Sequence, residues 1–254
     1  HSLTELNRHI RESPDDPILH LQRAELLLRR NHPETARPSV EKALLLTPDD
    51  PSVLLLNAKL LRATGSISEA ILRAKEITSR FPDHTPAWDL LAALLHDDGK
   101  YDEAIAAKLR HLEHRDHIDP SDYLTAASWI RQRNQPGDPG LTLTVINQAA
   151  DQFGTLTAIQ EMAIRIECDL ARYDDALKRV RILVMKYQPS AAFSLLRADI
   201  LEAAGRHAEA AGACDSAIAL LDAQPKESQG NLSGHRSSIQ ERKEQNLRTA
   251  LNSR

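Results

Sequence analysis

Glycine, aromatic residues and cysteine are all scarce in this chain. Nine glycines and 4% aromatics in 254 residues leave little of the material from which sheets are built. Alanine and leucine dominate instead, so the composition favours helices. Few rings also mean few stacking platforms for sugars or bases. Two cysteines, Cys168 and Cys214, supply neither a disulfide framework nor a metal-finger spacing and read as small apolar packers. A charge excess is missing too. Lys and Arg number 32 against 36 Asp and Glu, a formal charge of −4, which argues against a nucleic-acid binder. The longest apolar runs, such as Val53 to Leu56, are too short for membrane insertion. No G-x-S-x-G, glycine-rich phosphate loop or H-E-x-x-H occurs, so no enzymatic activity and no cofactor are expected. The sequence opens on His1, which implies a trimmed chain or a removed signal peptide. Its cysteine usage suits a cytoplasmic or an exported protein alike.

What is present is a period. Ala24, Ala58, Ala92 and Ala126 stand 34 residues apart, as do Ala36, Ala70 and Ala104. Leu27, Leu61 and Leu95 continue to Trp129 at the same step, and Pro14, Pro48 and Pro82 share it. Ala176 follows Ala104 by 72, two periods plus four, and Ala210 returns to 34. The extra residues fit best in Gln135 to Pro139, the richest turn sequence in the chain.

Each period holds two helical stretches. Leu54, Asn57, Ala58 and Leu61 form one apolar face up to Gly65, and Ala70, Ile71, Ala74 and Ile77 form the next, up to Phe81-Pro82-Asp83. Ser66 and Glu69 have the spacing of a capping box. Asp16-Pro17, Asp50-Pro51, Thr85-Pro86 and Asp119-Pro120 each place a capping side chain before a proline at the first helical position, where its missing N–H costs nothing. Short turns force the two helices of each pair to pack antiparallel.

Trp88, Leu91, Ala92, Leu95, Gly99, Tyr101 and Ala104 follow a pattern that resembles the tetratricopeptide repeat family, with Ala92 in place of its glycine and Leu95 in place of its second aromatic. Residues 17–50, 51–84, 157–190 and 191–225 carry the same resemblance through Ala24, Ala58, Tyr173 and Ala198 and the small or apolar residues after them. Residues 119–156 carry it weakly around Ala126, Trp129 and Ala149. The resemblance implies an all-α fold, a right-handed α-α superhelix or solenoid of antiparallel helix pairs. Its expected divisions are a leading second helix (1–16), six repeats (17–50, 51–84, 85–118, 119–156, 157–190 and 191–225), and a linker with a capping helix (226–254). Asn31 and Ala171 stand where the turn glycine belongs, and Ile77, His111 and Leu183 where the family prefers a small second-helix residue. The linker is expected at Lys226 to Asn231 and the polar capping helix from Ser237 to Leu251. A stacked array needs such an end, and the helix's small basic excess offers a partner-docking alternative.

The resemblance also implies that first helices line a concave groove. That assigns partner contacts to Leu21, Glu25, Leu55, Lys59, Arg62, Asp89, His96, Tyr123, Glu161, Arg165 and Asp199, with Leu28, Ala93, Ala127, Ile130, Cys168, Leu195 and Glu202 on the same faces. The mixture of charge and apolar points suits a peptide or helix of another protein. The simpler alternative for Leu28, Ile130 and Leu195 is packing between repeats. The family's carboxylate clamp for chaperone tails needs Lys and Asn where this chain has Leu21 and Glu25, Leu55 and Lys59, and Asp89 and Ala93, so no such clamp is expected. A metal or small-ligand reading rests on His111, His114 and His117, three apart on a helical face. Against it, His111 falls at an expected helix contact. Asp97-Asp98 and Asp174-Asp175 flank turns, where capping explains them better than acid–base chemistry. A further possibility is an assembly module acting in cis within a longer chain.

Overall fold

A computed structural model of the chain describes residues 2–113, 118–223 and 233–252, and every regular element among them is an α-helix. Two compact units divide the chain, His1–Ile118 and Asp119–Arg254. The first contains α1 (Leu3–Glu12), α2 (Pro17–Arg29), α3 (Pro33–Leu46), α4 (Pro51–Ala63), α5 (Ile67–Arg80), α6 (Thr85–Asp97) and α7 (Tyr101–Glu113). In the second are α8 (Pro120–Arg133), α9 (Asp138–Phe153), α10 (Thr157–Asp169), α11 (Tyr173–Tyr187), α12 (Ala191–Ala203), α13 (His207–Asp222) and α14 (Ser233–Asn252). The expected linker Lys226 to Asn231 lies outside the described residues, and α14 begins four residues before the expected Ser237.

Hairpins are the building unit. In unit 1, α2 packs on α3, α4 on α5 and α6 on α7, and each pair leans on the next through α3–α4 and α5–α6 contacts. Unit 2 repeats the scheme with α8–α9, α10–α11 and α12–α13, and α14 continues the stack against α13. Alanine is what allows close approach: Ala24, Ala58, Ala92, Ala104, Ala126, Ala176, Ala198 and Ala210 are all fully buried, so helix backbones meet where a larger side chain would hold them apart. Between these points lie Leu27, Leu56, Leu95, Ile130, Ile164 and Leu201, also buried. Each such side chain contributes about 1.5–3 kcal/mol by leaving water. This is an all-α solenoid of stacked helix pairs.

The helix starts follow the sequence signals in three places and depart from them in two. Asp16 accepts from the N–H of Ile18, Asp50 from Ser52 and Val53, and Asp119 from Ser121 in a capping box completed by Asp122. The Thr85 expectation is off by one residue: α6 already includes Thr85, and His84 stands at the cap with no side-chain bond to the helix. Ser66 likewise makes no capping bond. It directly follows Gly65, and its N–H is already engaged, donating to the carbonyl of Leu61 at 2.9 Å.

That Ser66 bond recurs as the hinge of every short first-to-second turn. His32 donates to Leu27, Lys100 to Leu95, Arg172 to Glu167 and Arg206 to Leu201, at 2.7–2.9 Å. Each needs a left-handed residue just before the donor. Gly65 supplies it at φ +83°, and Asn31 and Ala171 must supply it at +60° and +56°. For Ala171 the left-handed conformation costs about 1–2 kcal/mol through its Cβ. Ala171→Gly removes that cost while loosening the unfolded chain by about 0.4–1 kcal/mol. The expected net gain is below about 1 kcal/mol, read as a thermal transition of unit 2 raised by about 1–4 °C. An unchanged or lower transition would mean the turn holds no such strain.

The expected turn at Gln135 to Pro139 is shorter in the structure, because Asp138 and Pro139 already belong to α9, and the connection from α8 closes on the buried carboxylate of Asp138. Asp138 takes an ion pair from Arg133 and, at 2.6 Å, the N–H of Gln135, while Thr142 donates to its carbonyl at 2.6 Å. The Arg133 guanidinium holds the Asp138 carboxyl below its ordinary range, ahead of the opposing effect of burial. Both cysteines are free and in helices, Cys214 buried and Cys168 half-buried, and burial pushes both thiols up.

Candidate functional site

In unit 1 the first helices α2, α4 and α6 lie side by side, and the C-terminal ends of α2 and α4 with the N-terminal and middle turns of α6 line a groove of about 590 Å³. Helical spacing explains the lining. Leu28 and Arg29 come from the last turn of α2, Lys59, Arg62 and Ala63 from that of α4, and Pro86, Asp89, Leu90 and Ala93 from one stripe of α6. Pro86 can line the mouth because the second position of a helix needs no intrahelical N–H.

Charge in the groove is uneven. Arg62 donates to Asp97 of α6 at 2.7 Å, a pair that ties neighbouring first helices together. Asp89 receives Lys108 of α7 at 2.5 Å, and the Lys108 side chain is almost wholly buried. Arg29 and Lys59 have no acidic partner among the described residues and are exposed. With Asp89 and Asp97 already neutralised, the groove presents two open cations beside apolar walls. His84, at the start of α6, lies within electrostatic reach of Lys59 and Asp50, and burial pushes its imidazole below the usual value.

The structure brings together Lys59, Arg62 and Asp89 of the sequence-expected contacts, with Leu28 and Ala93 from the same faces. Others go elsewhere. Leu55 is only 6% exposed and Tyr123 only 2%, so neither can meet a partner. The reason is that α4 is apolar on both sides at this level, with Leu55 and Leu56 buried together. Tyr123 donates its hydroxyl to Gln152 at 2.8 Å, with its ring edge-on to Phe153. Leu21 packs against the unit 1 core. Glu25 lines a separate small depression with Leu6 of α1. His96 is half-buried, its ring 5.2 Å from that of Tyr101.

In unit 2, Glu161 and Arg165 are exposed on α10. Ala127 and Ile130 are buried, and Leu195 packs on the unit 2 core. Asp199 and Glu202 are both engaged by Arg242 of α14. Nothing in the period marks α14 as a neighbour of α12, and that contact was missed. Arg29, Ala63, Pro86 and Leu90 were also missed as lining, because single-turn spacing picks the centre of a face and not its edges.

His111 is buried, and its Nδ1 lies 3.1 Å from the carbonyl oxygen of Thr85, a contact between α7 and α6. His114 and His117 lie outside the described residues. Asp97 and Asp98 pair with Arg62 and Lys100, Asp174 and Asp175 with Arg206 and Lys178. All four carboxylates flanking the turns are therefore held by cations. Among the described residues no helix is long and apolar enough to cross a membrane.

Residues 27–95 and residues 162–227 match family models described as tetratricopeptide repeat, together just over half of the chain. Solved structures share the fold at low identity. The C-terminal part of a tetratricopeptide repeat-containing protein from Cytophaga hutchinsonii aligns over 88% of this chain and 91% of its own, at 12% identity and a TM-score of 0.61. YrrB, described as a repeat protein of this type with an unusual peptide-binding site, aligns over 73% of this chain and 93% of its own at 14% identity and a TM-score of 0.54. Pseudomonas aeruginosa PilF aligns over 86% and 97% at 13% identity and TM-score 0.52. No curated protein sequence matches significantly.

Proposed function

The chain belongs to the tetratricopeptide repeat family, and from that premise we propose that it is a non-catalytic scaffold that holds a segment of another protein in the first-helix groove of unit 1. The observation that carries this reading is the groove itself. Three consecutive first helices shape about 590 Å³, and Arg29 and Lys59 are its open charges. An extended or helical segment with carboxylates set among apolar side chains complements such a lining. Glu161 and Arg165 are a further contact region on the corresponding first helix of unit 2. The assignment of six repeats between residues 17 and 225 is part of the same proposal.

Lys59→Glu tests it. Lys59 is exposed and unpaired, so the variant keeps its fold, and its affinity for the partner recovered from the native source falls roughly tenfold, mostly through slower association. A photo-crosslinker placed at Ala93 captures that partner in the unaltered chain and loses it in the variant. Equal affinity for both proteins would place the contact elsewhere. The histidine alternative makes its own prediction, a melting temperature raised by added zinc. The engagement of His111 by Thr85 gives it less support than the groove reading.

A further inference from the structure

A second cavity, of about 580 Å³, opens in unit 2 among α11, α12 and α13, and it shares no lining residue with the groove of unit 1. Leu177, Val180 and Val184 stand at i, i+3 and i+7 on α11 and form its floor, and Phe193 and Leu201 of α12 form the facing wall. These side chains do not fill the space between the helices. Met185 stands at the rim, 86% exposed, although methionine is among the side chains that gain most from burial. An exposed, adaptable thioether beside an apolar floor is the composition of a surface that repacks around a guest.

The rim is cationic. Arg206 is occupied, donating twice to Glu209 at 2.7 Å and once to Asp174 at 3.0 Å. That leaves Glu209 neutralised. Arg181 and Arg197 also line the cavity and are exposed; neither makes a close ion pair among the described residues, although Arg197 lies within electrostatic reach of Glu209, whose carboxylate Arg206 already holds in a fork. The site thus pairs an apolar floor with two guanidinium groups able to take carboxylates in fork geometry.

We infer that this cavity is a second docking site, which takes a short amphipathic helix of another protein whose large apolar side chains are flanked by Asp or Glu. Its volume suits a few side chains of such a helix, and the rim charge selects their acidic flanks. A segment of another protein is the occupant this charge pattern favours, and a second copy of this chain is the competing outcome of the test.

The test uses the full chain and a fluorescein-labelled amphipathic helical peptide with leucines on one face and glutamates beside them, compared with the same peptide carrying lysines for glutamates. Anisotropy is expected to show saturable binding of the glutamate peptide and at least tenfold weaker binding of the lysine peptide. Arg181→Glu combined with Arg197→Glu weakens the first by at least tenfold, as does Met185→Glu, all three being exposed positions that leave the fold intact. In the Lys59→Glu background, which disables the groove of unit 1, the glutamate peptide still binds and Arg181→Glu with Arg197→Glu still weakens it at least tenfold, which separates the two sites. No binding of the glutamate peptide, equal binding of both peptides, or loss with Lys59→Glu alone would overturn the inference. So would a dimer in sedimentation that Met185→Glu dissociates, since the occupant would then be a second copy.

Discussion

Arg179→Ala is expected to cost unit 2 about 3–5 kcal/mol, the penalty for removing one partner of a buried ion pair. The guanidinium of Arg179, on α11, joins three polar side chains of two other helices. It donates to Glu167 at 2.7 Å, to Gln160 at 3.1 Å and to Asn147 at 2.6 Å. Glu167 is 3% exposed, and burial pushes its carboxyl above the ordinary value even with Arg179 beside it. Without the arginine, a buried carboxylate remains with no cation bonded to it and only the weaker field of Arg172. Adding Glu167→Gln removes that charge, so the double variant should recover about half of the loss or more. Arg179→Lys should fall between, keeping the charge but losing the fork.

The pH dependence of the Arg179→Ala variant has a definite sign. A carboxyl whose folded value is raised binds its proton more readily when folded, so stability rises as pH falls through that value. The deficit therefore shrinks on acidification. Hydrogen exchange of α9, α10 and α11 is the suitable measurement, because stacked repeats open locally and a single global transition would blur the effect. A loss below about 1 kcal/mol, or one confined to α11, would show that the network contributes little.

The second large effect is expected at α14. Arg242 reaches Glu202 at 2.8 Å and also pairs with Asp199, and Asn246 donates to Glu202 as well. Arg242→Glu would set three carboxylates against one another where one cation now holds two. About 1–2 kcal/mol of docking energy should be lost, since these half-exposed pairs are partly screened by solvent, seen as early exchange along α14 while α8 to α11 keep their protection. Ile239, which packs into the unit 2 core, would be uncovered. In the unaltered chain Arg242 and Asn246 hold the Glu202 carboxyl below its ordinary value of 4.5. For a depressed carboxyl the contribution is fully present above the unfolded value and is lost as pH falls through the folded one. Docking of α14 is thus intact at neutral pH and loosens below about pH 4.5. An α14 that stays protected in Arg242→Glu would mean that apolar contact alone seats it.

Much of the fold can be read along the chain, because its determinants are local and repeated. A proline after Asp16, Asp50 or Asp119 starts a helix whatever lies around it. Ala24 and its equivalents mark close approach because only a small side chain permits it, and Asn31 and Ala171 keep the turn bond that glycine makes elsewhere. Thr85 misses the cap by one residue, whereas Ser66 stands at the cap as expected but makes no side-chain bond, its N–H being held by Leu61. The candidate site is less legible. Lys59 and Asp89 look equally available on a helical face, yet Asp89 is neutralised by Lys108, a lysine 19 residues on that nothing in the period distinguishes.

Helix positions, the spacing of hairpins and the faces that turn inward all follow from the order of residues, since each depends on neighbours within a few turns. Which charges stay open, which apolar side chains leave a space between them, and that Arg242 closes over Asp199 and Glu202 are settled only once the helices pack. Those outcomes depend on side chains from separate helices meeting at distances of a few ångströms, and a linear period carries no information about which of them will meet.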